Sequence, residues 1–311
     1  MENARPAPAL IWLRGMRAPF FSASVIPVLV GGAAGYYASE LFHWGYFLVT
    51  LLGMVALHAA ANMINDYFDY KSGCDPNNPA RTIFNGGSNV IADGLMTERA
   101  MRIGFVVAYA IGIACGLFLT FAIGPQGWVV LLLGVVGVAI SYAYTAPRLL
   151  LAGRGVGEFG IALCFGLLSV QGAAFVQAGF FTWTAFFSSL PVMGLITAII
   201  WINQYPDVPA DHAVGKDNLV VRLGLARARW GYYALLAITY LAIPIGIAVG
   251  ALPWWSLLGL GGLPLALQAA RILHTHYQEP RALFPAQGLT IQAHMATGVL
   301  LALGLLLGGV L

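Results

Sequence analysis

Nine stretches of this chain are each long and apolar enough to cross a bilayer, and that limits its fold more than any other feature. A hydrocarbon core about 30 Å thick takes roughly 20 helical residues per crossing. The first five stretches run Phe20–Tyr37, Trp44–Ile64, Ile103–Ile123, Trp128–Tyr144 and Gly157–Ala178. The last four run Thr184–Asn203, Trp230–Gly250, Trp254–Leu273 and Leu289–Leu311. Of the 311 residues 59% are hydrophobic and 9% charged, where a soluble domain carries about 25% charged residues. Disorder, a coiled coil, a secreted disulfide scaffold and a soluble enzyme are excluded. The expected class is an all-α polytopic membrane protein, a bundle of nine transmembrane helices formed by one domain over residues 1–311.

Charge then orients the bundle. With nine crossings the loops alternate sides. The N-terminal arm and the loops near 65–102, 145–156, 204–229 and 271–288 hold all 15 Lys and Arg residues. The loops near 38–43, 124–127, 179–183 and 251–253 hold none. The positive-inside rule places the N-terminus and the long loops in the cytoplasm of a cell whose inner (plasma) membrane the chain spans. The first stretch follows Arg5, Arg14 and Arg17 without a marked cleavage site, so it reads as a retained helix. Among the acidic residues only Glu40 falls on the far side. A transporter carries ionisable groups near its midplane; here they gather at one face, in two acidic loops at 65–100 and 204–229. That favours a site opening to the cytoplasm over the rival reading of a carrier or channel. The three cysteines, Cys74, Cys115 and Cys164, have no metal or disulfide spacing.

The first acidic segment follows the second stretch. If that helix continues, Asn62, Asp66 and Asp69 lie at i, i+4 and i+7, on one face. Gly73 permits a turn that returns Asp75 over that face. In the second segment Asp207 and Asp211 are four apart, followed by Lys216 and Arg222. Pro206 and Pro209 flank Asp207, and proline disfavours helix before it. The sixth helix is therefore expected to break near Tyr205 and restart around Pro209. Converging carboxylates at a membrane boundary need a compensating cation. Hard oxygen ligands suit Mg²⁺, which leaves positions open for phosphate oxygens. Two such clusters on one side read as halves of a clamp on a diphosphate; solvated loop acids or helix caps are the plainer alternative.

The pairing of NDYFDYKSGCD (residues 65–75) with DVPAD (207–211) resembles the UbiA-type intramembrane prenyltransferases, over nearly the whole chain. The segments FNGGSNVIADGL, GVGEF and AVGKDNLVVRLG are most similar to the branch that prenylates 1,4-dihydroxy-2-naphthoate in menaquinone synthesis. The resemblance implies helices around a central cavity, a polyprenyl diphosphate donor, an aromatic acceptor, two Mg²⁺ ions and contact with membrane lipid, with no nucleic-acid partner. Acceptors of other kinds within the family (phenols, quinone precursors, porphyrin-like rings) stay open.

On this reading Asn62, Asp66 and Asp69 form one metal site, with Asp75 as an added acid, and Asp207 and Asp211 form the other. Lys71, Arg81, Lys216 and Arg222 are the candidate diphosphate contacts. Arg81 precedes Asn85-Gly-Gly-Ser88, whose glycines would let N–H groups approach a phosphate. The catalytic candidates are Asp66, Asp69, Asp207, Asp211, Lys216 and Tyr144, with Tyr144 shielding an allylic cation. His58, Tyr142, Arg148 and Glu158 are candidates for the acceptor. Plainer roles are open to several: interfacial anchoring for the tyrosines, a helix-dipole partner for Glu158 and a hydrogen bond to a neighbouring helix for His58.

Overall fold

The computed structural model describes residues 6–74 and 81–310. Among these residues there are nine helices long and apolar enough to cross a membrane. In order they are Ala18–Ser39, Trp44–Ser72, Glu98–Ala122, Gly124–Thr145 and Gly157–Ala178, then Trp183–Ala213, Leu225–Ala248, Trp254–His276 and Pro280–Val310. We call them the first to ninth spans. A short helix, Pro8–Gly15, precedes them and another, Leu219–Leu223, links the sixth to the seventh. The chain is a multi-pass membrane protein.

Local chemistry sets several of the ends. Thr97 and Thr182 cap the third and sixth spans by accepting hydrogen bonds from Ala100 N and Ala185 N. Asn218 caps the short linking helix by accepting from Val221 N. Gly73, at φ +80°, closes the second span in a left-handed conformation that a side chain would strain.

Two boundaries differ from expectation in ways that matter. The second span runs eight residues past Ile64, to Ser72, so Asp66 and Asp69 stand on a helix and not in a loop. The sixth span does not break at Tyr205: it continues to Ala213 with Pro206 and Pro209 inside it. Proline removes an intrahelical hydrogen bond, but packed neighbours in a membrane protein keep such a helix together. Here Trp201 Nε1 donates to Ala228 O at 2.9 Å and Tyr205 Oη to Leu225 O at 3.2 Å, tying the proline-bearing segment to the first turn of the seventh span.

The spans pack closely on one side of the bundle and loosely on the other. Gly31 and Gly35, one turn apart on the first span, let it approach the fifth. A Cβ at Gly35 would lie 2.8 Å from Ala174 O, too near for any side chain. The sixth, seventh, eighth and ninth spans share a core around Tyr205, Tyr232, Leu195 and Leu273. The third and fourth spans bury few residues, 17% and 11% of their most apolar stretches, so most of their surface faces lipid. The fifth span is π-helical over Ala162–Leu168, and that wider segment turns Cys164, Phe165 and Leu168 toward the interior.

Candidate active site

A cavity of about 730 Å³ lies inside the bundle, walled by the first to sixth spans. Its polar end is bordered by Asp69, Asp207, Asp211 and Lys216. From there it passes His58 and Met54 and reaches Val49, Leu119 and Val176. Asp69 to Val49 is roughly 30 Å along the second span at 1.5 Å per residue, so the cavity runs the full thickness of the apolar layer. It is charged at one end and mostly apolar along the remainder.

At the charged end the helix termini converge. Lys216 Nζ donates to Asp69 Oδ2 at 2.9 Å and stands 3.7 Å from Asp211 Oδ1. Burial works against that ammonium, but the Asp69 and Asp211 carboxylates hold its pKa well above the usual lysine value. Amides surround the acids: Asn65 Nδ2 donates to Asp69 Oδ2 at 2.9 Å and Asn218 Nδ2 to Asp211 Oδ2 at 2.8 Å. Cys74 Sγ donates to Asp211 Oδ1 at 3.3 Å. Asn85 Nδ2 and Gly86 N donate to Asp207 at 2.6 and 3.3 Å. The glycine-bearing loop thus turns its N–H groups toward carboxylates.

Asp66 is held differently. It pairs with Arg17, accepts from Ser88 N at 3.1 Å, and is only 3% exposed, outside the cavity lining. At about 100° per residue, taking Asn62 as zero, Asp69 falls near −20°, Asn65 near −60° and Asp66 near +40°. The cavity takes Asn62, Asn65 and Asp69; Asp66 sits just past its edge. Asn62 lines the cavity and donates to Met16 O at 3.0 Å. Asp75 lies outside the described residues.

Several other candidates stand away from the cavity. Lys71 pairs with Glu98 at 2.6 Å, Arg81 with Asp93 at 3.5 Å, and Arg222 Nε donates to Asp217 O at 2.7 Å; none borders the cavity. Tyr142 is exposed, and the Arg148 carbonyl accepts from Arg154. Lys71→Ala is accordingly expected to leave the KM for a prenyl diphosphate within about twofold of wild type, since an exposed ion pair contributes little; a steady-state titration of the donor checks it. Tyr144 and His58 do line the cavity, His58 Nδ1 lying 2.9 Å from Ser24 Oγ and its ring against Phe165. Glu158 is buried beside the cavity and bonded to Gln204 and Leu219.

Lining residues that the motif analysis gave no role are Arg17, Asn65, Asn85, Asn203, Gln204 and Asn218. Asn203 Oδ1 is buried without a hydrogen-bond partner. Among the described residues no three His, Cys, Asp or Glu side chains are already gathered as a metal site. Lys216 and the amides take up the carboxylate oxygens instead.

Comparison with known proteins agrees with this architecture. Residues 24–296 match the UbiA prenyltransferase family. The chain is 28% identical over 305 residues to a 2-carboxy-1,4-naphthoquinone phytyltransferase of Synechocystis sp., covering 97% of this chain and 95% of that one. It is 27% identical to a 1,4-dihydroxy-2-naphthoate octaprenyltransferase of Bacillus subtilis, covering 92% and 89%. A solved UbiA homologue from Archaeoglobus fulgidus, bound to GPP and Mg²⁺, superposes with a TM-score of 0.65 at 18% identity, over 94% of this chain and 99% of that one.

Proposed function

The chain belongs to the UbiA prenyltransferase family, and from that premise we propose that it transfers a polyprenyl chain from its diphosphate to 1,4-dihydroxy-2-naphthoate, with loss of the carboxylate, in menaquinone biosynthesis. One prenyltransferase domain over residues 1–311 does this, its charged end open to the cytoplasm from the inner membrane. The observation that supports the reading is the continuity, within one cavity about 30 Å long, of a carboxylate-and-lysine end with an apolar remainder. A polyprenyl diphosphate has that same division, a polyanionic head on an extended hydrocarbon. The naphthoate acceptor rests on the named activities of the two enzymes aligned along nearly the whole chain.

The donor set fits a hard divalent cation: Asp69, Asp207 and Asp211 offer carboxylate oxygens at one end of the cavity. Two magnesium ions held there would neutralise charge developing on the departing diphosphate. Lys216 adds a fixed ammonium beside the same oxygens. Arg17, at the cavity edge with its guanidinium on Asp66, is a second cation within the lining. Tyr144 and His58 line the same cavity, Tyr144 beside Thr145, to which Asn65 donates at 3.3 Å. Tyr144 presents its ring to the allylic carbon as positive charge grows there. The aliphatic groups beyond exclude the water that would otherwise capture the cation. The allylic C–O bond ionises, its electron pair leaving with diphosphate, and the ring carbon that bears the carboxylate bonds to the resulting allylic cation. The carboxylate then departs as CO₂, returning its bonding pair to the ring.

The test is a Mg²⁺-dependent transfer assay in lipid, pairing polyprenyl diphosphates with a panel of aromatic acceptors and scoring products by mass. A prenylated product lacking the carboxyl carbon is expected with the naphthoate. Product only with a different ring would move the enzyme to another pathway; diphosphate release with no ring at all would overturn the reading.

A further inference from the structure

We propose that Glu158 and Gln204 together bind and orient the aromatic acceptor, Glu158 fixing the Gln204 amide so that its carbonyl oxygen receives a ring hydroxyl. This rests on the reading of the chain as an aromatic prenyltransferase.

The pair is built with a defined polarity. Glu158, 2% exposed, accepts through Oε1 from Gln204 Nε2 at 2.9 Å and from Leu219 N at 3.0 Å. A carboxylate only accepts, so it captures the amide's NH₂ and leaves the carbonyl on the opposite side. Gln204 is 8% exposed and lines the cavity, and its Oε1 is buried with no hydrogen-bond partner. Burying a carbonyl without a donor is unfavourable, so such atoms are normally satisfied by protein, water or ligand. What this oxygen lacks is a donor.

Depth identifies which ligand brings one. Diphosphate oxygens only accept and would be repelled by a carbonyl. Gln204 also lies below the acids, about 4.5 Å from Asp207 and about 10.5 Å from Asp211 along the helix axis at 1.5 Å per residue. That is the level below the diphosphate, where the allylic carbon and the attacking ring must meet. A hydroxylated ring placed there donates to Gln204 Oε1. Its oxygen gains electron density from that bond, and the ring carbons conjugated to it become better nucleophiles. Glu158 does not line the cavity, so it is a positioning residue that acts through Gln204.

Steady-state kinetics with the full-length enzyme in nanodiscs test this, varying naphthoate, prenyl diphosphate and Mg²⁺ separately. Gln204→Leu is expected to raise the acceptor KM about tenfold, with the donor KM and the Mg²⁺ requirement unchanged. Glu158→Leu should do the same, and the double variant should be no worse than either single one. Glu158→Gln keeps an oxygen able to accept from both donors and should restore the wild-type acceptor KM. Monomethyl ethers of the acceptor supply an independent arm: one ether should bind wild type about tenfold more weakly than the parent, and Gln204→Leu should no longer distinguish the two. If Glu158→Leu fails to fold, as judged by its thermal midpoint, the Gln204→Leu and ether comparisons decide. A raised donor KM or shifted Mg²⁺ requirement in Gln204→Leu would make Gln204 part of the diphosphate end and overturn the proposal. So would an unchanged acceptor KM while wild type still prenylates the ring. A wild type that prenylates no ring overturns the functional reading itself, and this proposal with it.

Discussion

Asp69→Asn is expected to lower prenyl transfer by about a thousandfold or more while the protein stays folded. The substitution keeps the shape of the side chain and removes its charge at the point where Lys216 and Asn65 both donate. Lys216 retains Asp211 at 3.7 Å, so the ammonium is not left isolated and the helix ends stay together. What disappears is the anionic oxygen that, on the proposed function, would hold a divalent cation beside the leaving group. Transfer rates under saturating donor, with the thermal midpoint in detergent measured alongside, separate loss of chemistry from loss of fold. A rate within tenfold of wild type would remove Asp69 from the reaction.

Three residues earlier the same chemical group is expected to behave in the opposite manner. Asp66→Ala should destabilise the protein by about 3–5 kcal/mol, the usual cost of removing one partner from a buried ion pair. Asp66 joins three pieces of chain: its own helix, Arg17 of the N-terminal arm, and the Ser88 amide of the loop that follows. Without it Arg17 keeps its charge in a partly buried place, and the arm loses one of its attachments, keeping those of Met16 to Asn62 and of Arg14 to Ser88 and Asp93. The readout is the midpoint of thermal unfolding, which should fall sharply. A variant that melts like wild type but no longer turns over would return Asp66 to the chemistry.

The contrast between these two aspartates marks how far the sequence could be read. Nine apolar runs and one-sided basic residues carry the fold class, because length and polarity are properties of a segment by itself. The bounds of the second and sixth spans were less legible, for Asp66, Asp69, Asp207 and Asp211 look like loop residues by polarity. Each is held in place by cations and amides from elsewhere in the chain: Arg17 and the Ser88 amide for Asp66, Lys216 for Asp69, Asn85 for Asp207 and Asn218 for Asp211. Pro206 and Pro209 gave a sound local reason for a break, which Trp201 and Tyr205 offset by bonding to the first turn of the seventh span. Within the cavity, spacing alone put Asn62, Asp66 and Asp69 on one face. It could not say that the face is centred some tens of degrees away, which admits Asn65 and turns Asp66 aside. Arg17 was visible only as one more basic residue of the N-terminal arm. Lys71, Arg81 and Arg222 carry the same charge as Lys216, and nothing local to each distinguishes the one that is drawn inward. That distinction depends on contacts between residues 147 positions apart.

The thin burial of the third and fourth spans gives the protein two independently adjustable parts. The carboxylate end is assembled from the second and sixth spans and the loops between helices, where each polar group is held by several others and one change disturbs many. The opposite wall, formed by residues such as Gly116, Leu117, Val130 and Gly134, is a single helix deep and backed by lipid. A substitution there alters the room for hydrocarbon and reaches no charged group. Descendants of this chain can therefore shift toward longer or shorter tails through mutations that are nearly silent for bond-making. An engineer seeking a new tail length has the same freedom, and the same place to begin.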